Sequence, residues 1–133
     1  SGMNHQIYAF VVVEDEELVA KLSKMNADAM NSTSDPFYGA KSLIIVFADT
    51  HAPTYLYDGA LAMGNLMNAA NALGVDSCWI HRAKEVFETP EGKEMKKTWG
   101  LPESYEGIGH CILGYREEEP DKRAQRTSKV IYA

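Results

Sequence analysis

Cysteine is scarce in this chain. Only Cys78 and Cys111 occur in 133 residues, with no CxxC pair. A disulfide-built scaffold is therefore excluded. Both thiols sit in apolar, strand-like runs and are expected to be buried and free, as in a cytoplasmic protein. Even on neighbouring strands, a bridge between them would be geometrically demanding. Long apolar runs are lacking too: none approaches the ~20 residues of a membrane span, and no signal peptide is visible. Positive charge is sparse. Thirteen Lys and Arg stand against nineteen Asp and Glu, a net charge of −6, and KRAQR near the C-terminus is the one basic block. Phosphate backbones call for clustered positive charge, so a nucleic-acid partner is not expected.

Catalytic signatures are missing as well. Gly107-Ile108-Gly109 lacks a third glycine and precedes a strand rather than a helix, so it is no dinucleotide loop. His5, His51, His81 and His110 show no metal-ligand spacing, and no metal site is expected. His110 and Cys111 are neighbours on a strand and point to opposite faces. There is no GxSxG, and neither cysteine has a base beside it in sequence. The carboxylate runs at Glu14-Asp15-Glu16-Glu17 and Glu117-Glu118-Glu119 read as solvated faces.

What is present alternates between strand and helix. Tyr8–Val13 is β-branched and aromatic, and its lack of alternation predicts a strand covered on both faces. The acidic cluster from Glu14 opens a helix, where negative charge suits the helix dipole. Leu18, Leu22 and Met25 give that helix its apolar stripe. Asn31–Asp35 is loop-like and ends at Pro36. Ser42–Ala48 is the clearest strand. A helix then runs from Tyr55 or Asp58 to Leu73, with hardly any polar face, so it is expected to be buried. Gly74 suits the position after the helix end. Ser77–His81 is a strand. Thr89 and Pro90 mark a helix start, with Met95 and Trp99 on one face and a stop at Gly100. Ile108–Tyr115 is the last core strand. Glu117–Lys129 is charged and belongs on the surface. Val130-Ile131-Tyr132 is an apolar end that would dock elsewhere. One domain of roughly two-thirds buried surface suits this length, built as layered α/β or α+β on a sheet of about four strands.

Two polar clusters border this core. One is Ser1–Gln6, before the first strand. The other is Trp79-Ile80-His81-Arg82, at the exit of a later one. Each has a bland reading, a frayed terminus and a strand exit respectively. Each also has a functional one, as a wall of a binding site.

In order along the chain, several motifs resemble the nitroreductase family of FMN-dependent oxidoreductases. Ser1, Gly2, Asn4, Gln6 and Tyr8 match its Ser-(small)-x-Asn-x-Gln-x-aromatic segment. Gly39-Ala40 precedes an aliphatic strand, as in the family. Asp58, Ala62, Asn65, Leu66, Ala69, Ala70, Leu73 and Gly74 match its central helix, and the SCWI strand and the late Leu-Gly-Tyr follow. The resemblance implies an α+β sandwich. Its mostly antiparallel sheet of about four strands would be flanked by helices in an intertwined homodimer. It implies FMN at the dimer interface, lined by Ser1, Gly2, Asn4 and Gln6, with the backbone at Ile80, His81 and Arg82 near the flavin's reactive edge. Arg126, or the Lys122-Arg123 pair, would meet the phosphate, where a bidentate guanidinium favours Arg. The implied reaction takes electrons from NAD(P)H to a nitroaromatic, quinone or similar small acceptor. The flavin carries the chemistry, so no protein group need be catalytic. The family's Arg-rich N-terminal segment has no counterpart before Ser1. The reading is of an N-terminally shortened molecule, whose alternative role is a dimeric module that no longer holds FMN.

Overall fold

The computed structural model describes residues 1–118, 125 and 127–132. Four strands form one sheet: β1 (Tyr8–Val13), β2 (Ser42–Asp49), β3 (Asp76–Ile80) and β4 (Tyr105–Gly114). Their order is β1-β2-β4-β3, and every neighbouring pair is antiparallel. The helices are α1 (Glu16–Ala29), α2 (Tyr55–Ala72), α3 (Ala83–Glu88) and α4 (Pro90–Thr98). This is the α+β sandwich that the motif order implies.

The sheet separates two cores. On one face, Leu43, Ile45 and Phe47 of β2 meet Val19 and Leu22 of α1 and Ala83, Val86 and Phe87 of α3. On the other, Val46, Ala48, Ile108 and Cys111 meet Ala62 and Met63 of α2. Strand alternation produces this division, because neighbouring residues of β2 face opposite sides. A bulge between Val46 and Phe47 shifts the register against β4.

Local chemistry explains the element ends. The Asp15 carboxylate accepts the Leu18 N–H at 2.8 Å and caps α1. Thr89 caps α4 by accepting the Gly92 N–H at 3.0 Å, with Pro90 in the first turn. Gly74 takes φ 74° just beyond α2, the left-handed geometry expected there.

Several expectations need correction. Helix α2 is not buried in the single chain: Leu56, Tyr57, Leu61 and Leu73 are 53–80% exposed. It lies alone on its face of the sheet, so only one of its sides meets core. Strand β1 is likewise open on that face, with Phe10 and Val12 exposed, because only its Tyr8 end packs against the core under α2. Cys111 is buried as expected, but Cys78 is exposed; both are free. His110, which showed no metal-ligand spacing, is fully buried. The last strand begins three residues before Ile108, since Tyr105 pairs with Asp49. Strand β3 stops at Ile80, one residue before His81.

Candidate functional site

Antiparallel order puts the start of β1, the end of β2 and the start of β4 at one end of the sheet. Ser1, Gly2, Asn4 and Gln6 lead into β1 there. Strand β3 runs toward that end but stops short of it: Ile80 lies opposite His110, level with Ile45 and Val11 in mid-sheet, and His81 and Arg82 leave from that level. The two segments stand on opposite edges. Three strand spacings put β1 and β3 about 14 Å apart. Cavities of about 880 Å³ beside Asp76 and Arg116, and about 640 Å³ between α1 and the 32–41 loop, lie elsewhere.

The first segment is clasped by α2. The Gly2 N–H donates to both Asp58 carboxylate oxygens, at 3.1 and 3.0 Å. Thr54 Oγ1 donates to Asp58 Oδ2 at 2.8 Å. These bonds, Gly2 foremost, hold the Asp58 carboxyl below its usual range. The Gln6 N–H donates to Ser1 Oγ at 2.9 Å. Met3, Asn4 and Gln6 all take positive φ, at 52°, 58° and 49°. Asparagine accepts that region readily, but methionine and glutamine are strained in it, a condition that clusters at functional sites. Ser1, Asn4 and Gln6 are exposed.

The second segment is held from beneath. His81 is exposed, while its carbonyl accepts from Asn26 Nδ2 at 2.7 Å. Arg82 then turns left-handed, φ 73° and ψ 18°. Its guanidinium lies 3.8 Å from the Glu85 carboxylate. Beneath, Asn26 Nδ2 lies 3.4 Å from His110 Nδ1. Burial pushes the His110 pKa down to about 4, opposed in part by the carbonyls of His81 and Ile80. Farther along, Lys84 Nζ meets Glu106 at 2.8 Å and the Tyr55 hydroxyl donates to it at 3.2 Å. That carboxylate joins the starts of α3, β4 and α2.

Sequence reasoning missed Asn26 and His110 as parts of this wall. A signal existed for Asn26: it shares helical spacing with Val19 and Leu22, a polar residue on a buried stripe. His110 carried none, because a histidine inside an apolar strand reads the same whether or not it has a partner. Arg126 and the Lys122-Arg123 pair lie outside the described residues. No group of metal-ligating side chains occurs among the described residues. No helix there is long and apolar enough to cross a membrane.

A four-stranded antiparallel sheet, one lone helix on one face and three on the other define the class: an α+β sandwich. The model of the nitroreductase family matches residues 26–115, and the chain belongs to that family. It is 29% identical over 127 residues to a "Putative NADH dehydrogenase/NAD(P)H nitroreductase" of Archaeoglobus fulgidus, covering 91% of this chain and 68% of that protein. A nitroreductase with bound FMN from Bacteroides fragilis superposes with a TM-score of 0.86 at 23% identity, over 100% of this chain and 79% of that one. One from Desulfitobacterium hafniense, also with bound FMN, gives 0.84 at 24% identity with the same coverage.

Proposed function

We propose that this chain is an FMN-dependent oxidoreductase that moves electrons from NAD(P)H to a nitroaromatic, quinone or similar acceptor, working as a homodimer. The observation that carries this reading is the match of residues 26–115 to the nitroreductase family, with the polar Ser1–Gln6 segment clasped onto α2 through Gly2 and Asp58.

The side chains present fit the cofactor. Ser1, Asn4 and Gln6 are exposed, polar and uncharged. Such donors and acceptors suit the amide edges of an isoalloxazine and the hydroxyls of a ribityl chain. When bound, FMN supplies the electron carrier between NAD(P)H and the acceptor. The protein's own task is then to bind, orient and shield. Asp58 holds the first wall through Gly2, and Asn26 holds the second through His81. A phosphate contact from Arg126 or from Lys122-Arg123 completes the reading.

Three strand spacings, about 14 Å, and a further offset along the strands separate the two walls, which favours a site made from the first wall of one chain and the second wall of its partner. The open apolar side of α2 supplies surface for that pairing. The two free thiols, Cys78 and Cys111, suit a reducing cytoplasm.

The test is direct. Purified protein mixed with FMN and desalted should keep a yellow flavin spectrum and oxidise NADH or NADPH when a quinone is present. A protein that stays colourless after FMN addition would defeat the reading and leave a flavin-free dimeric module.

A further inference from the structure

Asn26 is the deepest polar residue of α1 and is fully buried, as is His110 on β4. A buried amide costs stability unless hydrogen-bonded, so its partners show what it serves. Asn26 Nδ2 donates to the His81 carbonyl at 2.7 Å. The amide orientation is fixed chemically: an oxygen in that place would face a carbonyl oxygen. Nδ2 also lies 3.4 Å from His110 Nδ1, and the same ring faces the His81 and Ile80 carbonyls. The imidazole cannot swing away, since it lies against Phe37 and Phe87 with centroids 5.2 and 6.0 Å apart. His110 also pairs with Ile80 across the β3–β4 ladder. So α1, β3 and β4 meet at one carbonyl, and the next residue is the left-handed Arg82. Arginine gains nothing from that conformation by itself. Arg82 also lacks a side-chain cap to α3, so the geometry must be imposed from outside the turn. Asn26 Oδ1 and His110 Nε2 are left without hydrogen-bond partners. Apolar residues would fill this space without such orphans, so a pair retained at that cost has a positional role.

We propose that Asn26 and His110 form a buried positioning pair that fixes the His81 carbonyl and thereby sets the Ile80–Arg82 backbone in its left-handed turn. Its link to the flavin rests on the function proposed above. Neither residue touches the cofactor; both act through the turn.

The test uses the full chain and two variants. Asn26→Leu keeps the volume and removes the donor. His110→Phe keeps the ring packing and removes the ring nitrogens, and it covers the case in which Asn26→Leu does not fold. Backbone NMR shifts and amide exchange are read without flavin, then the midpoint potential of bound FMN is measured. The expected result is a changed Arg82 shift and exchange at Val86, whose N–H donates to the Arg82 carbonyl, faster by about tenfold, the order of one lost buried hydrogen bond. Amides of β2 should stay unchanged, and the potential should move. Unchanged exchange at Val86 would overturn the pair, as would loosening spread evenly over the sheet. Local loosening with an unmoved potential would overturn its link to the flavin. The exchange arm needs no cofactor, so a chain that takes up no FMN sinks the functional reading while the pair is still decided.

Discussion

His110 makes stability depend on pH in a window the carboxylates leave free. Its folded pKa is about 4 against an ordinary 6.5, because burial disfavours the imidazolium. Between those values the unfolded chain binds the extra proton, so stability is complete above about pH 6.5 and falls as pH drops toward 4. The gap corresponds to roughly 3 kcal/mol. Asp35, Asp49, Asp58 and Asp76 all have carboxyls lowered from 3.8, through hydrogen bonds from Ser23, His51, Gly2 and Arg116 respectively. Their contributions are present above that value and are lost only as pH falls below it. Urea midpoints at pH 7 and pH 5 should therefore differ in the parent chain and nearly coincide in His110→Phe. An equal pH dependence in the variant would contradict the assignment. Asp58 permits a second test at this scale. Asp58→Ala removes the acceptor of both Gly2 bonds, so limited proteolysis between Met3 and Gln6 should quicken while cleavage elsewhere stays the same. The motif that picked out Gly2 and Asp58 separately gave no hint that they touch, because residues 56 positions apart share no periodicity.

Helix α2 shows what an element discloses and what it withholds. Its extent, its glycine stop and its position between β2 and β3 were legible, since apolar spacing and Gly74 are local signals. Its burial was not, because a sequence records how apolar a helix is and not how many faces its own chain covers. Helix α3 went unread for a related reason: six residues are too few to show a period, and Ala83, Val86 and Phe87 make sense only against the sheet and the helices packed with them. The early start of β4 was hidden by Glu106 and Gly107, poor strand formers that are held by Lys84, Tyr55 and the adjacent Ala83. Close packing of α2 can be tested at Gly59. A Cβ there would lie 2.6 Å from Ile108 Cγ1 and 2.9 Å from its Cδ1. Alanine improves helix propensity by roughly 1 kcal/mol, but crowding a packed core costs about 1–3 kcal/mol. The crowding wins, because Cγ1 is near the backbone and cannot swing clear. Gly59→Ala should lower the thermal midpoint; a raised midpoint would show that α2 can move off the sheet.

At the scale of the whole molecule, the two open surfaces and the two separated walls call for one explanation. Tyr57 and Leu61 stand one turn apart on α2, at 78% and 59% exposure, and Phe10 and Val12 are exposed on β1 at 46% and 62%. Val130, Ile131 and Tyr132 add an apolar end at 74–94%. Monomers seldom leave so many large apolar side chains open to water on one helix and one strand. A stable pair needs roughly 800 Å² per partner, and an 18-residue helix with one free side can supply much of it. The chain should therefore sediment at twice its 14.8 kDa. Leu61→Glu puts a charge in the middle of the α2 surface, where burial would be costly. The variant should sediment as a single chain with its helical circular dichroism intact, because Leu61 takes no part in either core. If each flavin lies between the first wall of one chain and the second wall of the other, this same substitution should abolish FMN retention although no proposed ligand has changed. A Leu61→Glu monomer that still holds FMN would place both walls around one flavin within one chain, which the separation of β1 from β3 argues against.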